Sequence, residues 1–141
     1  MTEESEHSPR RLKVAQFTDN YGPGSNGLMF AVQQLEGNLL DAGHEVVVVA
    51  PKAKGPNPHL GREGRVEVRL PSVRVPNMPT RVANGRHFER TIEKVGELDP
   101  DVIHVHGLGT VGVLGTWAAK RLDKPMLMTW HTDFDAYADH Y

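Results

Sequence analysis

Glu45-Val46-Val47-Val48-Val49-Ala50 is a continuous apolar run of strand length, the pattern of a strand covered on both faces within a parallel sheet. Just before it, Gly43 supplies the left-handed end of a helix. The residues leading to that end carry Leu28, Val32, Leu35 and Leu39 on one stripe, as a core-facing helix starting at Asn26 requires. Further back, Leu12-Lys13-Val14-Ala15-Gln16-Phe17-Thr18 alternates in the manner of a strand and stops at the turn-forming Asp19-Asn20-Tyr21-Gly22-Pro23-Gly24. Strand, helix and strand in this order are a βαβ unit, whose crossover is right-handed in nearly every known case.

The pattern continues toward the carboxyl end. Phe88, Ile92, Val95 and Leu98 form a second helical stripe closed by Asp99-Pro100. Asp101 to His106 reads as a strand, Gly107 to Leu122 as a helix and Met126 to Trp130 as a strand, with Asp133 to Tyr141 opening like another helix. Between the two halves, Pro51 to Thr80 holds six of the ten prolines and reads as an irregular excursion. It contains one short strand, Val66 to Leu70, and a second around Val73 to Val75. The expected fold class is α/β: a doubly wound, mainly parallel, Rossmann-like sheet whose binding crevice lies beyond the carboxyl ends of its strands.

Bulk properties bound the rest. The 141 residues suit one domain, and 38% hydrophobic with 24% charged residues is a globular balance. Residues 1–11 read as a disordered tail and 12–141 as the domain. No apolar run approaches the roughly 18 to 20 residues needed to cross a bilayer. The absence of cysteine excludes disulfides and thiolate metal sites and fits a cytoplasmic setting. A net charge of −2 gives no case for a nucleic-acid partner. Charge is unevenly spread, however: Lys52, Lys54, Arg62, Arg65, Arg69, Arg74, Arg81, Arg86 and Arg90 face only Glu63, Glu67 and Glu89 in the same segment. Two readings stand, a surface for an anionic acceptor or acidic lipid headgroups, and ordinary solvation.

Three clusters can carry chemistry. In the loop from Asn20 to Gly27, glycines permit close backbone approach, and the free N–H groups at a helix start can seat a phosphate. The alternative is a turn that merely needs glycine. Gly22, Gly24 and Gly27 match G-x-G-x-x-G formally, but Ala50 and Pro51 stand where a dinucleotide site needs an acidic residue. In Asp101-Val102-Ile103-His104-Val105-His106-Gly107, the histidines share one strand face. No third ligand is evident, so no metal is expected; His106 is placed in the crevice and His104 as an interior hydrogen-bonded residue. In Thr129-Trp130-His131-Thr132-Asp133-Phe134-Asp135, His131 can exchange a proton near neutral pH, while Asp133 or Asp135 can hold it or bind sugar hydroxyls, the alternative for Asp133 being to cap a helix. Without a G-x-S-x-G serine or a cysteine, covalent hydrolysis is not indicated.

Four ordered blocks carry a resemblance: Phe17 to Pro23, Leu40 to Val46, Pro100 to His106 and Thr129 to Phe134. Together they resemble the amino-terminal, acceptor-side domain of the family 4 retaining GT-B glycosyltransferases, from Leu12 to Tyr141. The resemblance implies sugar transfer from a nucleotide-diphosphate sugar, with no cofactor bound by this chain. It implies that Gly27 is the second glycine of the family's pair against the diphosphate, with Gly24 in the same loop and Asn26 in place of the first glycine. It also implies that His131 contacts the transferred sugar. Relatives need a second, nucleotide-binding domain, so the expectation is that 12–141 is incomplete at its carboxyl end and inactive alone, needing that domain or a partner chain. Attachment to the inner membrane surface through Lys52 to Arg90 follows as a further expectation. The competing readings are a non-catalytic acceptor-binding or auxiliary module of the same fold, and an unrelated phosphate-binding α/β protein.

Overall fold

The computed structural model describes residues 10–19, 21, 27–52, 58–74, 76–77 and 81–129. Its elements run β1 (Lys13–Thr18), α1 (Gly27–Asp41), β2 (Glu45–Pro51), β3 (Arg65–Leu70), β4 (Ser72–Arg74), β5 (Arg81–Ala83), α2 (Phe88–Leu98), β6 (Val102–His106), α3 (Thr110–Leu122) and β7 (Met126–Thr129).

Among the described residues, five strands form one sheet in the order β3-β2-β1-β6-β7, every neighbouring pair parallel. The order leads outward in both directions from the β1–β6 pair, which is therefore the topological switch point where such sheets bind ligands. This is the doubly wound, Rossmann-like architecture that the apolar run at Glu45 to Ala50 predicts.

Side-chain alternation divides the core in two. On one face Ala15, Phe17, Val47, Val49, Val68, Leu70, Ile103 and Val105 pack with Ile92 and Val95 of α2 and Val111, Leu114 and Ala118 of α3. On the other, Val46, Val48 and Ala50 meet Val32, Leu39 and Leu40 of α1, with Tyr21 in the same cluster. Burying a side chain such as Phe17 contributes about 1.5–3 kcal/mol. Close helix–sheet approach depends on Gly115, where a Cβ would lie 2.7 Å from Val105 Cγ2 and 2.9 Å from Phe17 Cγ.

Several boundaries differ from expectation for identifiable reasons. The helix expected from Gly107 starts at Thr110, because Gly107 has φ +92 and cannot be helical. Within the irregular excursion the expected short strand is present as β3, an edge strand of the main sheet among the described residues. Ser72–Arg74 pairs antiparallel with Arg81–Ala83, a strand the sequence reading did not identify. Expected helix ends do occur at Gly43, with φ +89, and at Asp99, with φ 51. Arg10 and Arg11, assigned to the tail, reach Asp101 at 3.4 Å and Glu45 at 3.8 Å. The helix expected from Asp133 to Tyr141 lies outside the described residues.

Candidate functional site at the β1–β6 switch point

Beyond the carboxyl ends of β1 and β6, Thr18 and His106 stand side by side in register. Helix α1 begins at Gly27 and covers one face of the sheet, while α3 begins at Thr110 and covers the other. The two helices therefore lie on opposite faces of the sheet, and a helix N-terminus carries a partial positive charge.

The start of α3 is already occupied. Asp19, the residue after β1, accepts from Val111 N at 2.8 Å, Gly112 N at 3.2 Å and Thr110 Oγ1 at 3.1 Å. Gly109, at the N-cap position, makes no side-chain cap of its own, and any Cβ there would overlap the Asp19 carboxylate. Thr110 Oγ1 also accepts from Ala83 N at 3.1 Å, which ties β5 to the same point.

A second anchor holds the residues after β1 to the opposite edge. Tyr21 is buried, and its hydroxyl donates to Glu36 Oε2 at 2.5 Å. Arg65 donates to Glu36, to Glu67 and, at 3.0 Å, to the Tyr21 hydroxyl. The Arg69 guanidinium lies 4.8 Å from the Tyr21 ring centroid and donates to the carbonyls of Tyr21, at 2.7 Å, and Pro51, at 2.8 Å. In β3 the alternation Arg65, Glu67, Arg69 sends all three charges to the α1 side, opposite Val68 and Leu70.

The electrostatics follow from this packing. Burial, reinforced by the hydrogen bond to Glu36, pushes the Tyr21 phenol up to about 12. Burial alone would lower the pKa of Arg65, but the hydrogen bonds to Glu36 and Glu67 outweigh it and raise it. For Glu67, burial acts upward and is overcome by the hydrogen bond from Arg65 and the charge of Arg69, so its carboxyl titrates below the usual range.

The expected site residues are distributed as follows. Gly27 is the first residue of α1. His106 ends β6 and is only 2% exposed, its ring centroid 4.0 Å from that of His104. His104 is buried, with a ring nitrogen 2.6 Å from Thr129 Oγ1. Gly24, Asn26, His131 and Asp133 lie outside the described residues. Of the basic segment, Lys52, Arg74, Arg86 and Arg90 are exposed, whereas the Arg65 side chain is 3% exposed and Arg69 is spent on the contacts above. Arg62 pairs with Asp41 at 2.7 Å. The basic surface is thus smaller than the sequence count implies.

Sequence reasoning missed Asp19, Glu36, Arg65 and Arg69 as organising residues. The signal for the last three was present: Glu36 interrupts the apolar stripe of α1, and the Arg-Glu-Arg alternation in β3 sends charge to one face. Asp19 had no such signal, since its partners lie about ninety residues away.

Comparisons with known proteins bear on the family and the fold. The family model described as Glycosyltransferase Family 4 matches residues 25–141. The chain is 29% identical over 130 residues to the alpha-monoglucosyldiacylglycerol synthase of Streptococcus pneumoniae, covering 92% of this chain and 29% of that protein. It is 30% identical over 132 residues to the GDP-mannose-dependent alpha-mannosyltransferase of Mycolicibacterium smegmatis, covering 92% and 35%. It is 32% identical over 127 residues to the GDP-mannose-dependent alpha-(1-6)-phosphatidylinositol dimannoside mannosyltransferase of Mycobacterium tuberculosis, covering 90% and 32%. The chain therefore spans about a third of the length of these relatives. Among solved structures, MurG of Acinetobacter baumannii superimposes with a TM-score of 0.60 over 92% of this chain and 39% of its own, at 18% identity, a likeness of fold. With the family model spanning most of its length and the doubly wound sheet in agreement, the chain belongs to Glycosyltransferase Family 4.

Proposed function

We propose that this chain is the acceptor-side domain of a glycosyltransferase that moves a sugar, with retention of configuration, from a nucleotide-diphosphate sugar to its acceptor. In this reading the donor diphosphate lies against Gly24, Asn26 and Gly27, and the sugar lies near His106, His131 and Asp133. Transfer requires a nucleotide-binding domain that closes over the crevice and excludes water. The observation that supports the proposal is the β1–β6 switch point, where His106 ends β6 in register with Thr18 at the end of β1, in a chain of Glycosyltransferase Family 4.

A magnitude explains the need for the second domain. Micromolar binding needs about 8 kcal/mol, whereas one charge-assisted hydrogen bond contributes about 1.5–3 kcal/mol. Two or three loop amides, after ordering costs, fall short of that. No metal or redox cofactor is assigned a role here, the developing charge being met in this reading by the start of α1 and by side chains.

The acceptor is proposed to be anionic or lipidic, presented at the inner face of a membrane. This rests on the exposed cations Lys52, Arg74, Arg86 and Arg90 and on the diacylglycerol and phosphatidylinositol lipids in two relatives' names. Among the described residues no helix is long and apolar enough to cross a membrane, so surface attachment is the proposed mode.

The test is transfer of mannose or glucose from nucleotide sugars to lipid acceptors in vesicles, by the chain alone and joined to the nucleotide-binding domain of a relative. Transfer by the joined protein alone is expected. Turnover by the isolated chain would contradict the requirement for a second domain, and inactivity of the joined protein with every donor would contradict the transferase reading.

A further inference from the structure

Gln16 lies in the middle strand of the sheet, β1, and is 0% exposed. A parallel strand covered on both faces is normally an apolar run, and the neighbouring Val14, Ala15 and Phe17 follow that rule. Gln16 breaks it. Among the described residues, neither Nε2 nor Oε1 of its amide meets a hydrogen-bond partner. A buried amide in that position bears the full loss of its hydration, and proteins satisfy such groups with an ordered internal water where polar neighbours can share it.

Polar neighbours are at hand. Gln16 stands in register between Val48 of β2 and His104 of β6, on the face of the sheet that α1 covers. Two residues further along, Thr18 and His106 are register partners on that same face. All four side chains are buried. A His104 ring nitrogen lies 2.6 Å from Thr129 Oγ1, and its ring centroid is 4.0 Å from that of His106, with 31° between the planes. The Gln16 amide thus has two imidazoles and a hydroxyl toward β6 and the crevice, and an apolar neighbour toward β2. A water there can accept from the amide N–H and pass a hydrogen bond on to an imidazole. Its effect on that ring is directional: a neutral imidazole carries its proton on one nitrogen, chosen by the hydrogen bond that the other makes.

We propose that Gln16 holds an internal water against the His104–His106 pair, and is thereby the positioning residue that keeps His106 in one tautomer at the end of β6. The water site rests on the buried amide and its neighbours; that the positioned ring serves sugar transfer rests on the transferase reading given above.

The experiment is NMR of the isotope-labelled chain at about pH 8, where an ordinary histidine is neutral, with no donor or acceptor present. In the wild type the Gln16 side-chain amide protons should show cross-relaxation with a long-lived water. The two ring nitrogens of His106 should give one protonated and one unprotonated signal. Q16L and Q16M keep the volume and remove the amide, and in them the two ring signals should move toward a common averaged position. A residue that only filled space would leave the tautomer unchanged. Absence of the water contact in the wild type would overturn the proposal, as would a mixed His106 tautomer there or an unaltered His106 ring spectrum in the variants. The wild-type measurements decide the water site even where a variant fails to fold. Since no sugar nucleotide enters the experiment, its failure is distinct from failure of the transferase reading, which the joined protein tests.

Discussion

The Tyr21 hydroxyl donates to Glu36 Oε2 at 2.5 Å, joining the segment after β1 to the middle of α1 through two buried side chains. A hydrogen bond to a buried carboxylate contributes about 1.5–3 kcal/mol. Tyr21→Phe should therefore lower stability by about 2 kcal/mol in urea unfolding, with Arg65 still pairing with Glu36. A change below about 0.5 kcal/mol, within the usual range for an unimportant surface substitution, would show that the contact does not hold the segment.

Arg65 and Glu36 behave as a buried pair, with side chains 3% and 0% exposed. Removing one member strands the other charge, at a cost of about 3–5 kcal/mol, whereas replacing both with apolar groups of similar size is often neutral. Arg65→Met and Glu36→Leu should each be strongly destabilising, and the double variant should be more stable than either single. Additive losses in that double-mutant cycle would mean that the two residues are not coupled.

Stability should also depend on pH at both ends of the scale. Tyr21 has a folded pKa raised to about 12 by burial and its bond to Glu36. An unfolded tyrosine loses its proton near 10, so between about 10 and about 12 the unfolded state binds fewer protons and stability falls as pH rises. The margin of wild type over Tyr21→Phe should accordingly shrink across that window. For Glu67 the folded pKa is depressed, chiefly by the bond from Arg65 overcoming burial. Its contribution is present above the ordinary carboxylate range and is lost as pH falls through the folded value. Glu67→Gln should flatten the acid limb of the stability profile.

The periodicities of Val46 to Val49 and of the α2 stripe are local, and they made the sheet and its flanking helices readable without coordinates. What escaped the reading is non-local. Arg65 and Arg69 look like solvated cations in a proline-rich segment until β3 pairs with β2 and turns them toward Glu36 and Tyr21. Gly109 and Asp19 lie far apart in the chain, and only the β1–β6 pairing shows that one accommodates the other. At the candidate site, residue type singled out the histidine strand, and His104 and His106 do lie on β6, while Gly24 and Asn26 of the loop before Gly27 lie outside the described residues. It could not show that the opposite helix start is filled.

The remaining exposed cations give a prediction about membranes. A basic residue near an anionic surface contributes about 1 kcal/mol. Replacing Arg74, Arg86 and Arg90 together by Gln should then weaken partition onto anionic vesicles by about 3 kcal/mol at low salt, roughly a hundredfold. Cosedimentation checks this, with Arg69→Gln as a control that should change vesicle binding little. No binding of the wild type at low salt would remove the membrane from the account.

The central claim is that sugar transfer takes place at the β1–β6 crevice, with His131 beside the transferred sugar. The most direct measurement is the transfer rate of the joined, two-domain protein carrying His131→Ala against the same protein with His131 intact. Loss of a charge-assisted contact of about 1.5–3 kcal/mol predicts a fall of about tenfold to a hundredfold with the stability of the protein unchanged. An unchanged rate would contradict the placement of the reaction in this crevice.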